Sequence, residues 1–150
     1  RNNGRGIKRM DINKILIFGL PGSGKTTFAK RLVENMDVAY FNADEIRRIF
    51  HDWDFSEEGR IRQVNRMEKL CKIADKPSVI EFVCPFDKYR KGYDVVIWMD
   101  TIDAGRYEDT NQMFEKPKST DSLIHIKNYD YEDVIQRLQK LLIKIPSSWK

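Results

Sequence analysis

The 150-residue chain has little of what marks secreted, metal-bound or membrane-spanning proteins. Cysteine is limited to Cys71 and Cys84, with no C-x-x-C pair, which excludes a disulfide scaffold and leaves free thiols in a reducing cytoplasm as the expectation. The only histidines, His51 and His125, are too far apart in sequence to open a local zinc cluster. No apolar run exceeds about five or six residues, far short of a membrane span, and the start does not resemble a secretory signal. Internal repeats and low-complexity tracts are absent. The length suits one domain with a real core and leaves no room for a second. Acidic residues are missing from the first ten positions, where Arg1, Arg5, Lys8 and Arg9 carry the whole formal charge of +4. Residues 11–150 are therefore neutral, which argues against a body built to grip polynucleotides. The expected organisation is a basic tail over 1–12 and a single domain over 13–150. A basic tail of this kind is either an unstructured leader or a nucleic-acid contact. Whether the chain was cut from a longer polypeptide, its next domain beginning near Trp149, stays open.

What is present is led by Gly19-Leu20-Pro21-Gly22-Ser23-Gly24-Lys25-Thr26, which fits the phosphate-loop pattern G-x-x-x-x-G-K-[ST] at every fixed position. Lys14–Phe18 before it reads as a buried strand, and the residues from Thr27 to Glu34 read as the helix that should follow. Gly19, Gly22 and Gly24 let successive backbone N–H groups turn inward onto phosphate oxygens, and the helix start adds its positive dipole end. Pro21, Ser23 and Thr27 complete the nucleotide-binding stretch. Lys25 brings a flexible cation to the outer phosphates, and the Thr26 hydroxyl is a candidate Mg²⁺ ligand. ATP with Mg²⁺ is the expected ligand pair.

Further strands are expected at 38–41, 78–83, 93–99 and 123–126, with helices over 44–50, 56–74 and 131–143. The last helix is expected to bury Val134, Leu138, Leu141 and Leu142. The polar segment 103–121, with Gly105 and Pro117, is expected to be mobile. Strands alternating with helices, most without polar alternation, indicate an α/β fold: a five-stranded parallel sheet doubly wound between helices. Ligands then bind beyond the carboxyl ends of the strands.

Candidate residues gather at those ends. Asp44, just after the second strand, is the first choice for a catalytic and metal-side carboxylate, with a helix-cap role as the plain alternative. Arg47 and Arg60 flank the loop His51–Phe55 and could face one anionic acceptor, or could lie on a solvated helix face balanced by nearby glutamates. Phe55 is a candidate stacking ring or a core anchor. Asp100 ends the fourth strand, where a second metal-side acid or a turn residue is expected. Arg106 is the lid cation candidate, with Lys116 and Lys118 as rivals.

Together these motifs resemble the adenylylsulfate kinases, which transfer the ATP γ-phosphate to the 3′-hydroxyl of adenosine 5′-phosphosulfate. Gly19–Thr27 is close to the family's G-L-S-G-S-G-K-T-T, and Asn42-Ala43-Asp44-Glu45-Ile46-Arg47 lies where it has D-G-D-N-[VI]-R. Phe55–Gln63 matches F-S-x-x-D-R-x-E-N, and Phe82-Val83-Cys84-Pro85-Phe86 resembles F-I-S-P-[YF], with Arg90 following. The likeness covers residues 14–90 and implies a phosphate-loop kinase fold. It implies Asp44 beside the acceptor hydroxyl and metal, Arg47 and Arg60 on the phosphosulfate, and Phe55 on the adenine. Gln63 would replace an acceptor-binding Asn, and Val83, Cys84 and Pro85 would complete the acceptor site. The chain departs from the family at Asn42 and Glu45, at Gly59 and Arg62, and throughout the lid.

Four functions follow. The leading one is an ATP-dependent kinase of adenylylsulfate type. A second is a kinase for another nucleotide-linked acceptor, such as a phosphoramidate nucleotide. The third, a nucleic-acid end kinase, requires a basic channel that the neutral body does not offer. The fourth is a non-catalytic ATP-binding module. The absent N-K-x-D motif argues against a GTPase. The expected partners are a small-molecule acceptor and no membrane, with a homodimer or a fused C-terminal domain as open expectations.

Overall fold

The computed structural model describes residues 12–143. Residues 1–11 of the basic tail expected over 1–12, and the region around Trp149, lie outside the described residues. Five strands form one sheet: β1 Lys14–Phe18, β2 Ala39–Asn42, β3 Ser78–Phe82, β4 Val95–Met99 and β5 Ile124–Ile126. Their order is β2-β3-β1-β4-β5, and each neighbouring pair is parallel. Every connection between neighbours is thus a crossover, which needs the intervening helices. These are α1 Lys25–Val33, α2 Ala43–Phe50, α3 Glu57–Ile73, α4 Glu108–Met113 and α5 Glu132–Leu142.

Side chains alternate across β1, and the alternation splits the core in two. Ile15 and Ile17 join Phe28, Leu32, Ile135 and Leu138 under α1 and α5. Leu16 and Phe18 join Ala43, Ile46, Val64 and Met67 under α2 and α3. Burial on both faces explains why β1 reads as one apolar run rather than an alternating one. On α5 the buried residues are Ile135, Leu138 and Leu142. Leu141, expected inside, is 53% exposed because the apolar stripe runs i, i+3, i+7 from Ile135.

The segment 103–121, expected to be mobile, holds α4 and is bonded both within itself and to the rest of the domain. Gly105 and Asn111 exchange hydrogen bonds at 2.8 and 2.9 Å. Just after α4, Glu115 N–H donates to the Pro85 carbonyl (2.8 Å), while its carboxylate accepts from Asp87 N–H (2.8 Å). Phe114 stacks on Phe18 of the core. The chain reverses its direction of travel across the sheet at β1, so the crevice between the carboxyl ends of β1 and its neighbours is where such a fold binds ligands.

Candidate active site

At that crevice lies a cavity of about 680 Å³. The phosphate loop enters it between β1 and α1. Gly24 sits at φ 92, a left-handed conformation that disfavours any residue with a Cβ. Lys25 Nζ donates to the Leu20 carbonyl at 3.0 Å, so the ammonium is folded over its own loop. Burial pushes the Lys25 pKa from 10.5 down to about 8, against the pull of Glu81 and Asp44. The Ser23 hydroxyl is buried without a hydrogen-bond partner.

Glu81, which the sequence reading passed over, is the central acid of the floor. It lies on β3 with 3% exposure, in register with Asn42 of β2 and Ile17 of β1. Its Oε1 accepts from the Thr26 hydroxyl (2.7 Å), from the Tyr40 hydroxyl (2.6 Å) and from Asn42 Nδ2. Asn42 also caps α2, its Oδ1 accepting from Glu45 N–H at 3.0 Å. The amide at 42 is thereby explained: a carboxylate there would face Glu81, whereas the amide donates to it. Glu45, the acid gained next to it, is exposed and pairs with Arg48 instead. Thr26, Asp44 and Glu81 all line the cavity. Oxygen donors with one or two carboxylates are the set that suits Mg²⁺ bound mainly through phosphates and water.

The loop between α2 and α3 builds a further part of the cavity wall. Arg47 and Arg60 are 4% and 6% exposed, so neither is a solvated surface residue. Arg47 Nη1 donates to the carbonyls of Asp52 (2.9 Å) and Asp54 (3.1 Å). Arg60 Nε donates to the Phe55 carbonyl (2.8 Å), and its Nη2 to the Thr110 hydroxyl of α4 (3.0 Å). Each guanidinium spends one edge on structure and still lines the cavity. Burial pushes both pKa values down, yet arginine stays charged. Asp52 accepts from Arg62 and Arg66, which holds its pKa well below the carboxylate range. Asp54 also pairs with Arg62. Gly59 permits this packing: a Cβ there would lie 2.8 Å from the Asp54 carbonyl carbon. The departures at Gly59 and Arg62 therefore serve one loop.

Gln63 is buried and donates to the Ala43 carbonyl (2.9 Å). Cys84 holds φ 44, a strained value for a residue with a side chain, and Arg90 pins it by donating to the Cys84 and Pro85 carbonyls. Burial pushes the Cys84 thiol up to about 12, which rules it out as a nucleophile at neutral pH. Val83, Cys84 and Pro85 line the cavity, as do Arg106 and Thr27. Gly19 and Ser23 are absent from the lining. Lys116 and Lys118 are absent from the lining. Asp100, expected as a metal-side acid or a turn residue, also lies outside it and pairs with His125 Nε2 at 2.8 Å on the β5 side.

Residues 15–101, more than half of the chain, match the family described as the AAA domain. A cytidine diphosphoramidate kinase from Campylobacter jejuni is 29% identical over 85 residues, which are 53% of this chain and 50% of that protein. The chain thus spans about half the length of the curated relative it matches. Among solved structures, an APS kinase from Mycobacterium tuberculosis in complex with AMPPNP and APS matches with a TM-score of 0.64 at 18% identity. The match covers 88% of this chain and 98% of that one. A gluconokinase from Sinorhizobium meliloti matches with a TM-score of 0.62 at 13% identity, over 89% and 93% of the two chains. The fold is that of the phosphate-loop kinases. No helix among the described residues is long and apolar enough to cross a membrane.

Proposed function

Starting from a chain that belongs to the AAA domain family, we propose that it transfers the γ-phosphoryl group of ATP to a hydroxyl of a small nucleotide-linked anion. One observation carries this reading: a single cavity joins the phosphate loop to Asp44 and to two buried arginines. Buried guanidiniums without an internal carboxylate for every edge suit an acceptor that brings its own negative charge.

In this mechanism the loop amides and Lys25 hold the ATP phosphates. Arg47 and Arg60 hold the anionic end of the acceptor, with Gln63, Val83, Cys84 and Pro85 walling it. Asp44 orients the acceptor hydroxyl. The hydroxyl oxygen bonds to the γ-phosphorus while the bond from that phosphorus to the β,γ-bridging oxygen breaks. ADP leaves with the electron pair, and the hydroxyl proton passes to Asp44. Arg106, on the lid segment, supplies a cation to the charge that spreads over the phosphoryl oxygens. Mg²⁺, held by Thr26 and Asp44 with Glu81 behind Thr26, would neutralise phosphate charge when bound.

Two acceptors head the test. Adenylylsulfate follows from the motif resemblance over 14–90. Cytidine diphosphoramidate is favoured by the 29% identical relative, whose name carries that substrate. ADP release is measured with each, with Asp44→Asn as control. Turnover with either that falls by at least ~100-fold in Asp44→Asn, ATP affinity being kept, supports the reading. Turnover that Asp44→Asn leaves intact refutes the role of the carboxylate. ATP binding without turnover on either acceptor refutes the nucleotide-linked assignment.

A further inference from the structure

Resting on that acceptor reading, we infer that Trp53, not Phe55, is the platform on which the acceptor's base stacks. Four aromatic side chains line the cavity: Trp53, Phe55, Phe82 and Tyr107. Phe82 is buried in the core. Phe55 already carries the Arg47 guanidinium 4.3 Å from its ring centroid and that of Arg60 at 5.4 Å. Tyr107 carries Arg106 at 5.4 Å. Among the described residues no cation lies over Trp53, which is 52% exposed.

A base between two faces needs about 7 Å, at ~3.5 Å per contact. The 4.3 Å between Arg47 and Phe55 does not admit one, and Arg47 cannot swing aside without giving up two carbonyl bonds. Nor do Trp53 and Phe55, 6.4 Å apart and tilted by 40°, form a slot. Trp53, 52% exposed against 42% for Phe55 and with no cation over its ring among the described residues, then offers the base the more open face. Phe55 then has a different task. Its electron-rich face orients the two guanidiniums that receive the anion.

The loop is built to present this ring. The two carbonyls that Arg47 pins belong to Asp52 and Asp54, the neighbours on either side of Trp53. The carboxylates of the same two residues are held by Arg62, and that of Asp52 by Arg66 as well. A half-exposed tryptophan on a pinned backbone loses little freedom on binding, the arrangement that favours a ligand anchor.

The test is calorimetric titration of the full chain with its donor site filled by AMPPNP and Mg²⁺. The base-bearing probes are cytidine 5′-diphosphate and adenylylsulfate; ribose 5-phosphate and pyrophosphate are the base-free ones. The expectation is tighter binding of the base-bearing probes, weakened about 5- to 150-fold in Trp53→Ala and largely recovered in Trp53→Phe. Phe55→Leu should weaken all four probes together. A base preference that survives Trp53→Ala, or that Phe55→Leu abolishes alone, overturns the inference while sparing the kinase reading. Equal affinity for base-bearing and base-free probes, or no binding of any, overturns the nucleotide-linked acceptor and the inference with it.

Discussion

Lys25→Met should make the protein more stable at pH 7 while abolishing turnover. Moving a lysine pKa from 10.5 to about 8 costs about 3 kcal/mol of folding free energy, at ~1.4 kcal/mol per tenfold change in proton affinity. Part of the side chain faces the cavity, so water screens the charge, and the unmet Leu20 carbonyl subtracts further. The expected net gain is about 1–2 kcal/mol. The sign follows from linkage. Between about pH 8 and 10.5 the unfolded lysine holds its proton and the folded one does not, so stability rises with pH through that window. Below pH 8 the cost is present in full, and near 10.5 it is gone. Urea denaturation of both proteins without nucleotide, at pH 7 and at pH 9.5, measures this. Lys25→Met should lead at pH 7 and lose most of its lead at pH 9.5. A variant less stable at pH 7, or a lead that does not shrink, refutes the claim that the phosphate loop holds its lysine at a cost. ATP should remove the difference by supplying the charge partner.

Glu81→Gln keeps the shape but weakens the acceptor for the Thr26 hydroxyl, and should raise the Mg²⁺ concentration needed for half-maximal ADP release severalfold; an unchanged Mg²⁺ curve would remove Glu81 from the metal side. Gly59→Ala forces the Asp54 backbone away from α3, and should raise acceptor KM at least tenfold with ATP KM little changed. An equal rise in both would mean general unfolding rather than a local shift.

How much was legible in the sequence depends on the range of the interaction. The phosphate loop is local: glycine spacing, the adjoining strand and the helix start lie within 13 residues. That Asp44 would lie at the carboxyl end of a strand was legible, because it stands in the first turn of the helix that follows β2. Glu81 was not, since one acid within Ser78–Phe82 reads as the outward face of a strand. Only pairing β3 between β1 and β2 aims it at Thr26 and Asn42. The same order corrected Asp100, since β4 has β5 on its far side and His125 there takes its carboxylate. Trp53 lay in a loop with no periodicity to mark it, and its surroundings are set by arginines from both flanking helices.

The sequence by itself determined the parallel α/β sheet and the phosphate loop with Lys25 and Thr26, because apolar periodicity and short-range backbone geometry specify these. Only the tertiary structure decided which acid stands beside Thr26, how much of each arginine is spent on backbone carbonyls, and which aromatic face stays open. Those depend on strand order and on side chains meeting across residues distant in the chain, and neither is written in any local pattern.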